Sequence, residues 1–567
     1  MAKLRTPEEI ITEILKSRGI ESKAEISEFL SEKPSVSGDP FLLPDMEEGT
    51  DLLYSYAAEK KQICIYGDYD VDGIMSVVLL HSFLAGLPGA DPDMIKNHIP
   101  SREEEGYGLN TDALRQIHKD GAELVITVDC GSVAKTEVEY AKDLGMKVIV
   151  SDHHECAEGF EPDCIFIDPK RKSSSYPYPQ ISGCGVAFKI AQGITKKYYP
   201  EEREVGKLLN SMLDLVAVAA IADVVPLTGE NRTFSKYGIN AINKGKRTAL
   251  RRLALAIGLK PGKINSHNIA FGIGPHLNAA GRMGDASIAA ELFLTEDEKR
   301  MGEIIDELIK QNKNRRRAQD EAFAECVSEV EKNYKDSAFI LLKPNEIHEG
   351  IAGIVAGKLK DIFMRPAAVL TETVTEDGNT ALKGSARSIE GFDIISSFRA
   401  HEELFIKLGG HAMAAGFVIP EEKEDLLRQM IDDDVRSASL ADPELFNDSK
   451  KHDIELSLAE ASHETAVLIE KIEPCGAGNR MPMIKLTGVF PMDARRMGQD
   501  KRHLKFTASD GSEGITSQGL SCVMFGSDES DAVLPADEPP YDFIGELNVN
   551  RWNNREEAQF IIREICS

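Results

Sequence analysis

The sequence predicts an α/β protein with two α/β lobes joined by a long helix, followed by a small C-terminal β-barrel. Three observations support this class. Short apolar runs alternate with helical stretches between about residues 48 and 290, as in a sheet of parallel strands. Residues 296–334 keep a helical period with few breakers. Five short strand-like segments with turns between them follow residue 453, which suits a barrel such as the OB fold.

The strands of the first lobe are predicted from continuous apolar runs. A strand that is buried on both faces shows no alternation of polar and apolar residues, which is typical of a doubly wound parallel sheet. The predicted strands are residues 62–66, 124–128, 147–150 and 164–167. Residues 1–45 precede this lobe as a helical lead-in, with Pro7 expected in the first turn of a helix.

The second lobe is predicted to be a smaller α/β domain. Residues 337–342 and 367–370 have the pattern of strands, residues 350–363 have that of a helix, and a Gly-rich loop begins at Gly409. The barrel strands that follow are predicted at residues 483–490, 503–509, 519–525, 541–549 and 559–562.

Composition excludes several classes of protein. The chain has 567 residues, 42% of them hydrophobic, and a formal net charge of -28. These values exclude collagen-like, coiled-coil and disordered chains. The nine cysteines include no CxxC pair, which favours reduced thiols in the cytoplasm over a disulfide framework or zinc ribbon. The longest apolar run, near residues 215–222, is far shorter than the roughly 20 residues of a membrane span, so no membrane association is expected.

Acids and imidazoles follow the predicted strands of the first lobe. The carboxyl ends of parallel strands meet at one edge of a sheet, so these side chains are expected to converge. A further acid follows the apolar run that ends at residue 222. The residues concerned are Asp68, Asp70, Asp72, Asp129, Asp152, His153, His154 and Asp223.

Clustered carboxylates require a counter-charge, because like charges raise one another's pKa. Oxygen ligands with one or two imidazoles suit Mn²⁺ or Mg²⁺, and a carboxylate shared by two ions would make a two-metal hydrolytic centre. The DYDVDG stretch from Asp68 also resembles the start of a calcium loop, but no Glu stands at the twelfth loop position. The alternative for the two histidines alone is a structural role.

The segments that carry this chemistry resemble the DHH phosphoesterase superfamily, and within it the RecJ-type single-strand-specific exonucleases. The matching segments are collinear over about 350 residues: IYGDYDVDGIMS, VDCG, SDHH, AIADVVPL, LNAAGRMGDA, HEGIAGIVAGKL, GSARS and GGHAMAAGF. The resemblance implies a DHH catalytic domain, a DHH-associated substrate-binding domain and an OB-like nucleic-acid-binding domain. With the lead-in and the connecting helix, the expected boundaries are residues 1–45, 46–295, 296–335, 336–440 and 450–567.

The resemblance also implies roles for individual residues. The implied metal ligands are Asp68, Asp70, Asp72, Asp129, Asp152, His153 and Asp223, with Asp129 as the bridging carboxylate. The implied catalytic residues are Asp129, His153 and His154, and the implied phosphate contacts are Arg102, Arg282, Ser385, Arg387 and His411. His276 and Ile347 depart from the family's usual residues. These departures bear on how the substrate strand is bound and not on the metal centre, whose implied ligands are all present.

The function that the resemblance implies is hydrolysis of single-stranded DNA from 5′ to 3′ into nucleoside 5′-monophosphates, in DNA recombination and repair. Two Mn²⁺ or Mg²⁺ ions are the expected cofactors. The expected state is a cytoplasmic monomer, with a single-strand binding protein or a helicase as candidate partners. A phosphodiesterase for short oligonucleotides or cyclic dinucleotides is the alternative, and a third class is a degenerate relative that serves as a replication scaffold.

The charge is unevenly distributed along the chain. Residues 421–567 hold 30 acids and 16 bases, whereas residues 231–266 hold nine Lys or Arg and no acid. A second basic block lies at residues 310–317. Such blocks are either solvated helix faces or local tracks for a phosphate backbone. We therefore expect a basic track on an acidic body, with an affinity for DNA that falls with salt.

Overall fold

The structure is a computed structural model that describes residues 4–102, 105–156, 160, 162–345, 347–375, 377–443, 445–446, 452–498, 501, 503–511, 519–526, 539–552 and 555–566. The chain divides into two compact units. The first consists of residues 1–277, 287–301 and 450–567, and the second of residues 278–286 and 302–449.

The elements alternate between helix and strand as the sequence predicts. The α-helices are α1 Pro7–Ser17, α2 Lys23–Leu30, α3 Met46–Ala58, α4 Val71–Ala85, α5 Thr111–Lys119, α6 Lys135–Asp143, α7 Gly183–Tyr198, α8 Arg203–Ser211, α9 Leu213–Ala222, α10 Gly229–Asn243, α11 Thr248–Ala256, α12 Ser266–Asn268, α13 Gly274–Met283, α14 Ser287–Leu294, α15 Glu298–Asn333, α16 Glu349–Phe363, α17 Ile394–Ala400, α18 Glu424–Ala441 and α19 His463–Glu470. The strands are β1 Ile63–Tyr66, β2 Ile95–His98, β3 Leu124–Thr127, β4 Lys147–Ser151, β5 Ile165–Ile167, β6 Ile340–Leu342, β7 Ala367–Val374, β8 Thr380–Arg387, β9 Lys407–His411, β10 Ala414–Pro420, β11 Ile454–Ser457, β12 Ile484–Met497, β13 His503–Ser509, β14 Leu520–Met524, β15 Tyr541–Trp552 and β16 Arg555–Cys566.

The first sheet of the first unit is parallel, with the strand order β2-β1-β3-β4-β5. Four of its strands coincide with the predicted ones. The sequence did not predict β2, because this edge strand buries only Ile95 fully and its other residues are partly or fully exposed. β1 and β3 are buried throughout, which explains why their sequences are uninterrupted apolar runs.

The first unit also contains the C-terminal barrel. Its sheet has the order β11-β12-β13-β14-β16-β15, and pairing of β12 with β15 closes a five-stranded barrel. The N-terminal helix belongs to this core, since Ile10, Ile14 and Leu15 of α1 are buried in one cluster with barrel residues such as Leu486 and Phe543. A partly buried ion pair between Arg5 and Glu460 adds to this attachment, with Nε and Oε1 2.9 Å apart. The N-terminal lead-in therefore packs as part of the barrel.

The second unit is a mixed sheet with helices. The strand order is β6-β7-β8-β10-β9, in which only β6 and β7 pair in parallel. The sequence predicted a Gly-rich loop from Gly409, but Gly409 and Gly410 lie within β9 and pair with β10 in a tight hairpin. Gly410 has a φ of 145°, and a Cβ there would lie 2.3 Å from the backbone oxygen of Ala414. Glycine thus allows the two strands to approach closely.

One helical stretch of the described chain, Arg203–Ala222, is long and apolar enough to cross a membrane by length and composition. Of its most apolar 18-residue window, 67% is buried within the protein, as in the core helix of a globular domain. The stretch comprises α8 and α9, and α9 packs against α10 and α4.

Some of the basic residues in the block at residues 231–266 are engaged in contacts within the protein. Arg232 is buried and donates to five backbone carbonyls, those of Phe29, Lys471, Ile472, Glu473 and Pro474. Arg247 pairs with Asp214 at 2.7 Å. These two arginines hold the fold together and are not available to a phosphate backbone.

Candidate metal centre

Three carboxylates lie between the end of β1 and the first turn of α4. Asp70 caps the helix, because its Oδ1 accepts from the backbone N–H groups of Asp72 at 2.9 Å and Gly73 at 3.1 Å. Asp68 and Asp72 are buried. A Cβ on Gly73 would lie 2.6 Å from the backbone nitrogen of Asp68, so the final glycine of the DYDVDG stretch is required for this close turn.

Asp129 follows β3 in a left-handed backbone conformation, with a φ of 65° that is uncommon for a residue other than glycine. The side chain is buried. It lies against the first turn of α7, where a Cβ on Gly183 would stand only 2.5 Å from Asp129 Oδ1. Gly183 therefore makes the space that the carboxylate occupies.

The segment after β4 presents two imidazoles that one carboxylate orients. Asp152 Oδ1 accepts from the backbone N–H of His153 at 2.7 Å and lies 2.8 Å from His154 Nδ1. His153 is buried, whereas the His154 side chain is 46% exposed. His153 thus faces the interior of the cluster, and His154 lies at its solvent side.

The structure brings all eight predicted residues of this edge together. His153 Nε2 lies 3.0 Å from Asp129 Oδ1, 3.7 Å from Asp72 Oδ2 and 3.8 Å from Asp223 Oδ2, although Asp223 caps a helix rather than following a strand. Three groups of side chains have ligand atoms within 4.8 Å of one another: Asp68, Asp70 and Asp129; Asp72, His153 and Asp223; and Asp129, His153 and His154. Overlapping groups of this kind suit more than one ion.

Burial and mutual repulsion perturb these carboxyl groups strongly. Burial, with repulsion by Asp70, raises the pKa of Asp72 to about 7. Burial, with repulsion by Asp72, raises the pKa of Asp223 to about 9 and the pKa of Asp129 well above its usual value. Burial also lowers the pKa of His153 to about 3, which keeps its imidazole in the neutral form that binds metal. A bound cation would remove the cost of ionising these carboxylates.

Several buried atoms of the centre have ligand character and no hydrogen bond. Among the described residues, Asp68 Oδ1, Asp129 Oδ1 and His153 Nε2 are buried without a hydrogen-bond partner, even though the last two atoms are only 3.0 Å apart. Unpartnered buried polar atoms are costly, so a cluster of them requires a binding partner. Carboxylate oxygens with a neutral imidazole fit a Mn²⁺ or Mg²⁺ centre.

Two supporting contacts of the centre were not predicted from the sequence. The backbone N–H groups of Gly183 and Cys184, at the start of α7, both donate to Asp72 at 2.7 Å. Ser132 donates its N–H to Asp152 and its hydroxyl to the buried Asp168. Asp168 follows β5 directly, so the rule that found the other strand-end acids also applies to it.

The predicted phosphate contacts lie in both units. Arg102, in the first unit, places its guanidinium 5.0 Å from the ring centroid of Tyr69, the residue between Asp68 and Asp70. Its Nε is buried and makes no hydrogen bond to the described residues. Arg102 is therefore a cation beside the metal centre with an uncommitted donor.

The other four lie in the second unit. Arg387 Nη1 donates to the carbonyl of Ala386 at 2.8 Å and lies 3.4 Å from Ser385 Oγ, and burial lowers its pKa. His411 ends β9, and both Arg387 and His411 are in register with Ala414 of β10. Arg282 donates to the carbonyl of Gly350 at 2.7 Å, at the start of α16. Ser385, Arg387 and His411 thus share one end of the second sheet, while Arg282 lies beside α16.

Comparison with known proteins gives consistent matches along the chain. The DHH family N-terminal domain matches residues 62–220, the DHHA1 domain residues 336–437 and the RecJ OB domain residues 452–564. The single-stranded-DNA-specific exonuclease RecJ of Bacillus subtilis (strain 168) is 32% identical over 559 residues, covering 98% of this chain and 68% of the relative. That of Salmonella typhimurium is 30% identical over 575 residues, covering 98% and 95%. The chain belongs to the RecJ family.

Solved RecJ structures share the fold. The crystal structure of RecJ in complex with Mn²⁺ from Thermus thermophilus superposes with a TM-score of 0.77 at 27% identity, covering 98% of this chain and 76% of that one. A crystal structure of exonuclease RecJ bound to manganese gives 0.59 at 30% identity, covering 71% and 98%. The predicted two-lobed α/β class with a C-terminal OB barrel is confirmed, and so is the predicted family.

Proposed function

We propose that this RecJ-family protein is a metal-dependent exonuclease that hydrolyses single-stranded DNA from 5′ to 3′ into nucleoside 5′-monophosphates, in DNA recombination and repair. The observation that carries the proposal is the buried cluster of carboxylates and imidazoles at the edge of the parallel sheet. The family supports it, since the RecJ relatives are single-stranded-DNA-specific exonucleases.

The metal ligands in this proposal are Asp68, Asp70, Asp72, Asp129, Asp152, His153 and Asp223, which would hold two ions. Asp129 belongs to two of the ligand groups around His153 and Asp68, so it is assigned as the shared carboxylate. When bound, Mn²⁺ or Mg²⁺ supplies a water of lowered pKa and positive charge for the phosphoryl oxygens.

The chain's own residues have further roles. Asp152 holds the backbone of His153 and the ring of His154, so both imidazoles are fixed before substrate binds. Asp129, His153 and His154 are assigned as catalytic residues. The His154 side chain is partly exposed. Burial alone would lower its pKa, but the hydrogen bond to Asp152 and the negative charges of Asp152, Asp223 and Asp70 together raise the pKa to about 9. A protonated His154 is placed to donate to an anionic phosphate.

Arg102, Arg282, Ser385, Arg387 and His411 are assigned to the phosphates of the strand. Guanidinium groups match phosphate oxygens by paired hydrogen bonds, which favours arginine for this task. Arg102 and Arg387 are both partly desolvated, which strengthens their attraction to an anion.

The alternative substrate, a short oligonucleotide or cyclic dinucleotide, is less consistent with the barrel. A dinucleotide needs only the metal lobe and the phosphate-binding lobe, whereas OB folds bind extended single strands. The match of residues 452–564 to the RecJ OB domain therefore favours a long strand. We further propose a cytoplasmic monomer that receives its substrate from a helicase or a single-strand binding protein.

The deciding experiment is a polarity assay. Single strands of DNA and RNA, labelled at either end, are incubated with the protein and Mn²⁺ or Mg²⁺, alongside duplex DNA and a dinucleotide. We expect early release of labelled mononucleotide from the 5′-labelled DNA strand alone. The Asp129→Asn variant should be inactive, and Asp143→Asn, an exposed acid at the end of α6, should behave as wild type. Release from the 3′ end first, or faster cleavage of the dinucleotide, would contradict the proposal.

A further inference from the structure

Val224 occupies an unusual backbone conformation directly after the metal-centre residue Asp223. Helix α9 ends in an αL turn, with the N–H of Val225 donating to the carbonyl of Ala220 at 3.3 Å. Val224 is the left-handed residue of this turn, with a φ of 61°. Glycine is the usual residue at this position, and a β-branched side chain there is a clear outlier. The sequence thus keeps a strained residue where an unstrained one would fit.

The side chain of Val224 lies mostly outside the protein interior. It is 67% exposed, whereas the next residue, Val225, is 8% exposed. The chain beyond is fixed, since the N–H of Leu227 donates to the carbonyl of Ala477 at 2.7 Å. Burial within the protein therefore does not explain why valine stands at this position.

We propose that Val224 contacts the strand, with its methyl groups packing against the nucleoside of the nucleotide whose phosphate lies at the metal centre. This inference rests on the proposed function. Its neighbour Asp223 has a carboxylate oxygen within 4.8 Å of the ligand atoms of Asp72 and His153, and adjacent Cα atoms are about 3.8 Å apart. An exposed apolar side chain beside a phosphate site gains only by covering apolar surface. The apolar parts of a nucleotide are the deoxyribose carbons and the faces of the base.

The chain offers a matched control in Lys60. Glu59, the C-cap residue after α3, has φ -81° and ψ -1°, close to the φ -80° and ψ -4° of Asp223, the C-cap residue after α9. Lys60 then has a φ of 55°, and the N–H of Lys61 donates to the carbonyl of Tyr56 at 2.9 Å. Lys60 is exposed and precedes β1, at the opposite end of that strand from the metal centre. The two turns therefore differ in location but share their backbone geometry.

The test compares Val224→Gly, Val224→Asn and Val224→Ile with Lys60→Gly in the full-length protein. Melting temperature, Mn²⁺ affinity by titration, and KM and kcat on a 5′-labelled single strand are measured for each. Gly and Asn both tolerate the left-handed conformation but remove the methyl groups. We expect the Val224→Gly and Val224→Asn variants to keep or raise the melting temperature by about 2 °C and to keep Mn²⁺ affinity. Their KM should rise about tenfold with kcat within about threefold of wild type, as for a lost binding contact.

Val224→Ile should retain the wild-type KM, and Lys60→Gly should change neither KM nor kcat. A strand with an abasic 5′-terminal nucleotide separates the two sources of apolar surface. If the base is the contact, the abasic strand removes the difference in KM between wild type and Val224→Gly, and if the deoxyribose is the contact, the difference persists.

A wild-type KM for both Val224→Gly and Val224→Asn would overturn the inference. A fall in kcat with weakened Mn²⁺ affinity would also overturn it, because Val224 would then only hold Asp223 in place. An inactive wild-type protein would instead refute the proposed function.

Discussion

Replacement of Asp129 by Asn should stabilise the metal-free protein while abolishing its response to Mn²⁺. Asp129 is buried, and Asp68 and Asp70 each offer an oxygen within 4.8 Å of one of its own. At that separation two like charges repel by about 3 kcal/mol at an effective dielectric constant of about 20. Protonation relieves part of this repulsion, so we expect the variant to gain about 1 to 2 kcal/mol of unfolding free energy without metal. The melting temperature should rise by about 2 to 6 °C.

The assay is thermal unfolding of both proteins with a chelator and with increasing Mn²⁺. A ligand that binds only the folded state stabilises it by about 2.7 kcal/mol at a hundred times its Kd. The wild-type melting temperature should therefore rise with Mn²⁺, whereas that of Asp129→Asn should remain at its higher metal-free value. Asp143→Asn controls for the loss of one charge. A lower metal-free melting temperature for Asp129→Asn, together with an undiminished Mn²⁺ response, would refute the reasoning.

Four further outcomes are expected. Arg387→Ala should raise KM for a single strand by about 10- to 100-fold, the worth of a charge-assisted hydrogen bond, and leave the Mn²⁺-induced rise in melting temperature unchanged. Ser132→Ala removes the hydroxyl that donates to buried Asp168, so urea unfolding should show a loss of about 1 to 3 kcal/mol; an unchanged midpoint would contradict this. Arg5 lowers the pKa of Glu460 from 4.5 to about 2, so this carboxylate contributes stability above pH 4.5 that is lost as the pH falls toward 2. After allowance for solvent screening we expect about 2 kcal/mol, which Glu460→Gln should remove together with that part of the acid dependence of the melting temperature. The three arginines assigned to phosphates predict that log affinity for a single strand falls with log salt with a slope of about -2, measured by fluorescence anisotropy, and a slope near zero would refute their role.

The elements that bury a complete face were predictable from the sequence. β1 and β3 are apolar throughout, and β4 is apolar from Val148 to Val150, because these residues are buried on both faces of the sheet. The edge strand β2, with its exposed Lys96 and Asn97, carries no such pattern. The packing of α1 into the barrel was not predictable either. An amphipathic sequence indicates that one face of the helix is buried, but not which part of the chain covers that face. Nearly 450 residues separate Ile10 from the barrel residue Ile454 in the same core.

The candidate site was predictable where a single rule applies, that strand ends converge at one edge of a parallel sheet. The rule found Asp68, Asp129 and His153, and it would have found Asp168. It does not reach the backbone donors of Gly183 and Cys184, because every residue has an N–H and only the fold aims these two at Asp72. Val224 was missed for a similar reason, since its left-handed conformation is a property of the turn and not of valine.

The attraction of the protein for DNA depends on where its ionised groups lie and not on its total charge. Four carboxylates of the metal centre, three of them buried and one partly buried, have raised pKa values. They are fully ionised only when cations bind beside them, so the formal charge of -28 overstates the negative charge of the metal-free protein. The basic block at residues 231–266 is likewise reduced, because Arg232 binds backbone carbonyls and Arg247 binds a carboxylate. Neither the acidic total nor the basic block then measures the attraction for DNA. Long-range attraction to a polyanion is weak on such a body, so we expect binding to depend on a few desolvated cations. Arg102, beside the metal centre in the first unit, and Arg387, in the second unit, are desolvated cations of this kind, so we expect substitution at these two positions, rather than in the basic block, to decide affinity.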